Sequence, residues 1–210
     1  MQLLENISAA LQAGKAKDVA QLVQEAIDSS IPAQEILDNG LLAGMSIIGT
    51  KFKNNEAYVP EVLIAARALN KGTEVLKPKL QEEGVEPIGK AVICTVKGDL
   101  HDIGKNLVKM MLEGVGFAVV DLGVDASAEK IVEAVKEHNP QVVCLSALLT
   151  TTMNQCQTVV EALTAAGIRD NVKVMVGGAP VTQAFADQIG ADAYTADAAS
   201  AAEVAKSFVA

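Results

Sequence analysis

Residues 91–106 read AVICTVKGDLHDIGKN, an apolar run followed by a polar loop with two glycines. A short, continuous apolar run is typical of a strand that is buried on both faces of a parallel sheet. Further apolar runs occupy 117–120, 142–145 and 172–176, and segments of helical periodicity separate them. This alternation predicts a doubly wound, Rossmann- or flavodoxin-like α/β domain, in which ligands bind beside the loops that follow the strands.

The rest of the chain divides around this domain. Its 210 residues are enough for two compact domains. Residues 1–80 carry apolar stripes at helical spacing and are interpreted as a four-helix bundle that forms a cap domain. Residues 81–89 contain two glycines, a proline and three acids, and are predicted to be a linker. Residues 90–210 then form the α/β domain, with a short fifth strand at Ala193–Tyr194.

Charge and composition argue against several functions. The net charge is −9, aromatic residues make up 3%, and no cluster of Lys or Arg is present, so nucleic-acid binding is not expected. No apolar run reaches 18 residues and the N-terminus lacks a basic region, so neither a membrane span nor a secretory signal is predicted. Three widely spaced cysteines give no disulfide framework, and a cytoplasmic location is therefore expected.

The loop after the first strand contains His101, one of only two histidines. Asp99 precedes it by two residues and can accept a hydrogen bond from one ring nitrogen, which fixes the tautomer and makes the other nitrogen a better ligand. A histidine in an exposed loop often has no role, so this pair alone leaves both interpretations open. The second histidine, His138, precedes Asn139-Pro140 near a helix end, where a cation interacts favourably with the helix dipole.

The motif Asp99-x-His101-x-x-Gly104 resembles the signature of cobalamin-binding domains of the methionine synthase and corrinoid methyltransferase type. The resemblance extends along the whole chain to further segments of that family. These are Ser146-x-Leu148 after the third strand, Gly177-Gly178-Ala179 after the fourth, and Gly44-Met45 and Tyr58-Val59-Pro60 in the helical half. The implied cofactor is cobalamin or a related corrinoid.

The resemblance implies a role for each site residue. His101 would coordinate cobalt from below in place of the cofactor's benzimidazole, and Asp99 would hydrogen-bond His101. The hydroxyl of Thr152, where methionine synthase has a serine, would extend this relay. The displaced nucleotide tail would enter a slot beside the sheet, and Tyr58 would cover the upper face. The residues expected to contact the cofactor are Gly98, Asp99, Leu100, His101, Asp102, Ile103, Gly104, Ser146, Leu148, Thr150, Thr152, Gly177, Gly178, Ala179, Tyr194, Ala198 and Tyr58.

A methyl-carrier function follows from the resemblance. A substrate-specific methyltransferase would load the methyl group, and a second methyltransferase would pass it to a thiol or to tetrahydrofolate. A reductive activase is a further expected partner. On this interpretation the chain is a subunit of a methyltransferase system rather than a complete enzyme, and the segment 81–89 would act as a hinge.

Three alternatives are weighed against the carrier. A cobalamin-binding regulator or sensor has a similar helical cap but normally carries a DNA-binding segment, and no basic helix offers one. Adenosylcobalamin mutases share the lower domain but need a substrate barrel. A flavodoxin-like or receiver-like signalling domain would bind no cobalamin at all. The identity of the methyl donor stays open.

Overall fold

Two compact units make up the chain. A computed structural model describes residues 2–210. One unit, here the helical unit, contains the chain up to Pro87 together with Gly114–Gly116. The other, the α/β unit, contains Ile88–Glu113 and Phe117–Ala210. No helix within the described residues is long and apolar enough to cross a membrane.

The helical unit has four helical segments, and the third is interrupted. Its elements are α1 (Gln2–Gln12), α2 (Ala16–Asp28), α3 (Ala33–Glu35), a π-helical segment (Ile36–Leu42), α4 (Ala43–Lys53) and α5 (Val59–Glu82). The helices bury an apolar core that includes Leu11, Val23 and Leu76. The π-helical segment was not predicted. Within it, Gly40 packs so closely on α1 that a Cβ atom would lie 3.2 Å from Cγ2 of Ile7.

The segment between the last helix of this unit and the first strand is shorter than the predicted linker 81–89. Helix α5 continues through Pro78 to Glu82, and the first strand begins at Gly89. Contacts of Glu83 explain the longer helix: its carboxylate accepts a hydrogen bond of 2.7 Å from the backbone N–H of Ala33 and pairs with Lys79 at 3.5 Å. These bonds hold the last turn, although Pro78 cannot donate a backbone hydrogen bond. The irregular segment is therefore 83–88.

The α/β unit is built on a five-stranded parallel sheet, which confirms the predicted fold class. Its strands are β1 (Gly89–Thr95), β2 (Phe117–Asp121), β3 (Val142–Ser146), β4 (Lys173–Gly177) and β5 (Ala193–Tyr194). Its helices are α6 (Ile103–Gly114), α7 (Ala128–His138), α8 (Asn154–Ala165), α9 (Gln183–Ile189) and α10 (Ala198–Ser207), with a 3₁₀ turn at Arg169–Asn171.

The strand order β2-β1-β3-β4-β5 creates a switch point between β1 and β3. The chain leaves β1 towards β2 on one side and returns to β3 on the other side of β1. The two strands pair in parallel register up to Thr95 and Ser146. In open α/β sheets a crevice forms at such a point, beyond the carboxyl ends of the strands. The loops after β1 and β3 therefore meet where a ligand is expected.

The sheet is buried because helices cover both of its faces. One apolar cluster joins the inner strands to α7, α8 and α9 and includes Val92, Val143, Ile131 and Leu163, each almost fully buried. Side-chain caps start α7, α9 and α10; at α7 the Ser127 hydroxyl accepts a hydrogen bond from Lys130 N–H. Packed strands and capped helices give the loops above the sheet rigid supports.

The three cysteines are buried and form no disulfide; the apolar runs around Cys94 and Cys144 predict their burial, whereas that of Cys156, in α8, was not predicted. Burial raises the pKa of the Cys144 and Cys156 thiols to about 12. Burial also raises the pKa of Cys94, which lies in β1. A thiol with such a pKa carries almost no thiolate at neutral pH, so these residues act as small core side chains.

Candidate functional site

A histidine–carboxylate pair lies in the loop between β1 and α6. Nδ1 of His101 lies 2.7 Å from Oδ1 of Asp99, and the backbone N–H of His101 donates to the same oxygen at 3.1 Å. A carboxylate accepts hydrogen bonds, so Nδ1 carries a hydrogen, and in the neutral ring Nε2 then keeps a free lone pair. The side chain of His101 is 51% exposed. The loop therefore presents an oriented, accessible imidazole nitrogen at the edge of the sheet.

The second oxygen of Asp99 binds the loop after β3. Oδ2 accepts a hydrogen bond of 2.7 Å from the Thr152 hydroxyl and one of 2.8 Å from the backbone N–H of Leu148. The side chain of Asp99 is completely buried. Burial opposes its negative charge, but the bonds from Thr152, His101 and Leu148 outweigh that effect and hold its pKa well below the ordinary value. Asp99 is therefore an ionised carboxylate fixed by donors from two loops.

The threonine hydroxyl fits this relay with its extra methyl group. Oγ1 of Thr152 is 2.7 Å from the carboxylate and 3.1 Å from the carbonyl oxygen of Leu149, and its single hydrogen belongs on the closer, charged acceptor. The methyl group lies beside Gly98, where an added Cβ would be 3.7 Å from Cγ2 of Thr152. The methyl group therefore has room beside this glycine, and the hydroxyl keeps its bond to Asp99.

Thr95 is a contributor that was not predicted. Its hydroxyl donates a hydrogen bond of 2.8 Å to the carbonyl oxygen of His101, and the residue is fully buried in the last position of β1. The bond fixes the backbone of His101 from below the loop. A hydroxyl within an otherwise apolar strand was the available signal, because a buried hydroxyl requires a partner.

A buried ion pair at the start of α6 was also not predicted. The ammonium group of Lys105 lies 2.8 and 2.7 Å from the two oxygens of Asp121, at the end of β2, and Lys105 is only 3% exposed. Burial opposes the charge of Asp121, but bonds from Lys105 and the backbone N–H of Gly123 lower its pKa overall. The pair ties the first turn of α6, directly after the His101 loop, to the neighbouring strand.

Exposed apolar side chains occur beside His101 in the sequence and in the loop after β3. Leu100 and Ile103 are 71% and 72% exposed, and Leu148 and Leu149, in the loop after β3, are each about two-fifths exposed. Large aliphatic side chains exposed together are unusual in a folded domain and indicate a binding surface. Exposed leucine and isoleucine near an accessible imidazole nitrogen suit a large ligand with an apolar face.

The glycine turn after β4 lets two loops approach each other. Gly178 has φ +124°, and a Cβ atom there would overlap the carbonyl oxygen of Ala147. A Cβ atom on Gly177 would lie 3.4 Å from the carbonyl oxygen of Thr195. Ser146 is the register partner of Gly177 and is partly buried. The backbone of this turn therefore lies directly beside the ends of β3 and β5.

The remaining predicted residues are spread more widely. Thr150 and Ala179 are exposed in the loops after β3 and β4, while Tyr194 is partly buried in β5 and Ala198 is buried at the start of α10. The structure thus brings the relay residues into contact but places these four around the C-terminal edge without contacts among them that define a pocket. Their role in cofactor binding stays a prediction.

The first turn of α6 and the helical unit contain the others. Gly104 lies in α6 with no atom within 4 Å of an added Cβ, and Asp102 precedes the helix and accepts a hydrogen bond of 3.1 Å from Asn106. Tyr58 belongs to the helical unit, directly before α5, and is 64% exposed; its backbone N–H donates to Glu61 at 3.1 Å. Its expected place above the cofactor stays a prediction.

Comparison with known proteins identifies the family of this chain. Residues 89–205 match the B12 binding domain, and residues 3–77 match a second B12 binding domain. Trimethylamine corrinoid protein 1 of Methanosarcina acetivorans is 48% identical over 178 residues, which cover 83% of this chain and 82% of that protein. Dimethylamine corrinoid protein 1 of the same organism is 41% identical over 210 residues, covering 100% of this chain and 98% of that protein.

A solved structure extends the match to the fold. The crystal structure of the methanol:cobalamin methyltransferase complex MtaBC from Methanosarcina barkeri contains a chain of 31% identity. The TM-score is 0.89, and the match covers 99% of this chain and 80% of that one. Open parallel α/β domains bind their ligands at the switch point, which is where this structure places an oriented histidine. The chain belongs to the B12-binding family of corrinoid proteins, and its cofactor is cobalamin or a related corrinoid.

Proposed function

We propose that this corrinoid protein of a methyltransferase system is a methyl carrier that binds cobalamin with His101 as the lower axial ligand of cobalt. The names of the relatives, for trimethylamine and dimethylamine corrinoid proteins and a methanol:cobalamin methyltransferase complex, support methyl transfer as its role. When bound, the corrinoid would supply the cobalt centre that carries the methyl group between partners. The chain supplies binding, orientation and exclusion of water.

A single observation carries this proposal. His101 is half exposed, donates through Nδ1 to a buried carboxylate and keeps Nε2 free. An imidazole that is oriented by a carboxylate is the usual form of a ligating histidine in proteins. The exposed side chains of Leu100 and Ile103 flank it and offer apolar contact to the corrin ring. The residues present therefore fit the cofactor that the family binds.

Asp99 has a defined task in this arrangement. Nε2 becomes electron-poor when it binds a metal cation, and the Nδ1–H group becomes more acidic as a result. The carboxylate at 2.7 Å then stabilises the positive charge on the ring and holds the proton at Nδ1. The Thr152 hydroxyl and the Leu148 N–H keep Asp99 ionised and aligned, so that it does not take up that proton itself.

The same geometry supports a slot for the nucleotide tail beside β3 and β4. Gly177 and Gly178 leave backbone without side chains at the carboxyl end of β4, and Ser146 ends β3 next to them. Backbone amides and a hydroxyl at this edge can donate hydrogen bonds to the amide and phosphate oxygens of the tail. Thr150, exposed in the next loop, is a further candidate donor.

Two partner enzymes complete the proposed cycle. A substrate-specific methyltransferase loads the methyl group, which the solved complex of a related chain with a methyltransferase supports. A second methyltransferase would pass the group to a thiol or to tetrahydrofolate, and a reductive activase is a further proposed partner. Tyr58 covers the upper face between these encounters. The segment 83–88, in which Gly84 has φ +67° and open space around it, is the proposed hinge.

The test compares the two histidines of the chain. The full chain is titrated with hydroxocobalamin, and absorption spectra are recorded for wild type, His101→Ala and Asp99→Asn. His138→Ala is the matched control, because it removes the only other imidazole, at the end of α7. We expect stoichiometric uptake by wild type and by the control, with a spectrum that changes on loss of His101. Failure of wild type to bind, or an unchanged spectrum without His101, would overturn the proposal.

A further inference from the structure

The loop between β2 and α7 lies alongside the end of β1 beyond the paired strands. The N–H of Thr95 donates to the carbonyl oxygen of Gly123 at 2.9 Å, and the N–H of Ala126 donates to the carbonyl oxygen of Thr95 at 3.0 Å. An isolated parallel bridge joins Val96 to Ala126. Main-chain bonds therefore connect residues 122–127 to β1 up to the point where the loop of His101 begins.

Asp125 extends this connection into the loop itself. Its Oδ1 accepts a hydrogen bond of 2.7 Å from the backbone N–H of Gly98, and its own N–H donates to the carbonyl oxygen of Asp99 at 3.0 Å. Asp125 makes both bonds with φ +52°, and Gly98 turns the chain with φ +80°. A left-handed backbone is uncommon outside glycine, and Asp and Asn adopt it most readily. Asp125 therefore hydrogen-bonds to the dipeptide Gly98–Asp99 through both its carboxylate and its backbone N–H.

These two hydrogen bonds help to fix the position of Asp99. Its backbone N–H donates to Val96 at 3.1 Å and its carbonyl accepts from Asp125, while its carboxylate is occupied by Thr152, Leu148 and His101. All the polar groups of a completely buried residue are thus used. A displacement of the backbone of Asp99 would lengthen the bond to the imidazole, because the bonds from the loop after β3 hold the other oxygen in place.

We propose that Asp125 is a positioning residue for the lower ligand. It acts through Asp99: by holding the Gly98–Asp99 peptide, it keeps the carboxylate where it imposes the Nδ1–H tautomer on His101 and leaves Nε2 free for cobalt. The inference rests on the proposed function, because it assigns Asp125 to the same ligand. The part that concerns the tautomer concerns only this chain and is measured without cofactor.

Three substitutions separate the hydrogen bond from the backbone conformation. Asp125→Asn keeps an acceptor oxygen and the tolerance for positive φ. Asp125→Gly keeps the conformation but removes the acceptor, and Asp125→Ala removes the acceptor and adds strain. Asn139 is the matched control, since it also has positive φ, +47°, but follows α7 at the opposite end of the sheet. Asn139→Gly and Asn139→Ala repeat the backbone change away from the site.

The first measurement is ¹⁵N NMR of the imidazole nitrogens of His101 in the full chain without cofactor, at about pH 9, where imidazole is neutral. We expect the Nδ1–H tautomer in wild type and Asp125→Asn, and a shift towards Nε2–H in Asp125→Gly. The second is hydroxocobalamin affinity. Removal of the direct partner of a metal ligand typically lowers affinity about 10- to 100-fold. For Asp125→Gly, one step further from the metal, we expect a loss of roughly 3- to 10-fold.

Each outcome decides a separate question. If Asp125→Gly keeps the wild-type tautomer and affinity, or if Asn139→Gly changes them equally, Asp125 is not a positioning residue. If Asp125→Asn does not keep the wild-type tautomer and affinity, an acceptor oxygen at position 125 is not what positions Asp99. If the hydroxocobalamin spectrum is the same for wild type and His101→Ala, His101 is not the ligand. The tautomer measurement would still decide whether Asp125 positions Asp99.

Discussion

Thr152 and His101 bind the two different oxygens of one buried carboxylate. The hydroxyl lies 2.7 Å from Oδ2 of Asp99, and Nδ1 lies 2.7 Å from Oδ1. The hydroxyl belongs to the loop after β3 and the imidazole to the loop after β1. Asp99 therefore couples the two loops of the switch point, and substitutions at Thr152 are expected to affect His101 through Asp99.

The first prediction concerns the hydroxyl. Thr152→Val keeps the shape and the methyl group but leaves Asp99 without one of its donors, so the unfolding free energy should fall by about 1–3 kcal/mol. Hydroxocobalamin affinity should fall as well. Urea unfolding followed by circular dichroism, together with the cofactor titration, measures both effects.

Thr152→Ser serves as the control for this change. It keeps the hydroxyl and removes only the methyl group beside Gly98, so its cost should be about 1 kcal/mol, and affinity should stay close to wild type. Equal losses of hydroxocobalamin affinity for valine and serine would contradict the relay, because loss of the hydroxyl would then matter no more than loss of the methyl group.

The second prediction concerns the buried ion pair behind the loop. Lys105→Met leaves Asp121 charged and without its main partner, and removal of one member of a buried pair typically costs about 3–5 kcal/mol. Asp121 keeps 20% exposure, so the lower end of that range is expected. Chemical denaturation gives the value. Lys109→Met is the comparison: at 3.5 Å from Asp121 and one-third exposed, Lys109 should contribute under about 1 kcal/mol.

The third prediction concerns the glycine turn after β4. Gly178→Ala places a Cβ atom against the carbonyl oxygen of Ala147 at φ +124°, so the loops after β3 and β4 must separate. We expect a loss of about 2–3 kcal/mol in unfolding free energy, a typical cost of overpacking with added strain. Hydroxocobalamin uptake should also weaken.

Gly190→Ala isolates the conformational part of that loss. Gly190 has φ +71° at the end of α9 but no atom within 4 Å of an added Cβ. It should cost about 1 kcal/mol and leave cofactor binding unchanged. A result in which both variants lose equal stability would mean that close approach to Ala147 is not what requires glycine at position 178.

The fourth prediction is a pH dependence at the far side of the sheet. Burial opposes the charge of Asp192, but bonds from the N–H of Val174, from Arg169 and from Lys173 lower its pKa overall. A carboxylate whose pKa is lower in the folded state stabilises the fold at any pH above its unfolded-state pKa, about 3.9. This contribution is lost as the pH falls through the folded-state pKa. Asp192→Asn should therefore cost about 1–3 kcal/mol at pH 7.

Unfolding free energies of wild type and Asp192→Asn, measured from about pH 7 to about pH 2, test this directly. The difference between the two proteins should be constant at neutral pH and shrink below about pH 4. Asp170→Asn, an exposed change on the neighbouring 3₁₀ turn, controls for the altered net charge. A difference that grows on acidification would give the wrong sign and contradict the assignment.

The fold was predictable because its signals are periodic and local. Buried parallel strands appear as continuous apolar runs, and the predicted fifth strand at Ala193–Tyr194 coincides with β5. The helix through Pro78 was less predictable, since proline usually ends a helix and the bond between Glu83 and Ala33 joins residues far apart in sequence. The π-helical segment has no periodic signature that separates it from α-helix.

Site residues were predictable where they belong to a sequence motif, but not where their role depends on the conformation of a loop. Asp99 and His101 belong to a recognisable motif, and Thr152 was reached through the same resemblance. Asp125 has no sequence pattern that marks its bond to Gly98, because that bond depends on a left-handed residue in an irregular loop. The loop of Asp125 could be predicted as part of the site, because it follows β2 and ligands bind beside the loops that follow parallel strands.

The most direct measurement is the electron paramagnetic resonance spectrum of the full chain loaded with cob(II)alamin and produced with ¹⁵N-labelled histidine. The axial nitrogen splits each cobalt line, into three with ¹⁴N and into two with ¹⁵N. If His101 is the lower ligand, labelled protein gives doublets, and His101→Ala loses them while His138→Ala keeps them. Triplets in the labelled protein would show that the unlabelled benzimidazole of the cofactor still binds cobalt, and would contradict His101 as the ligand.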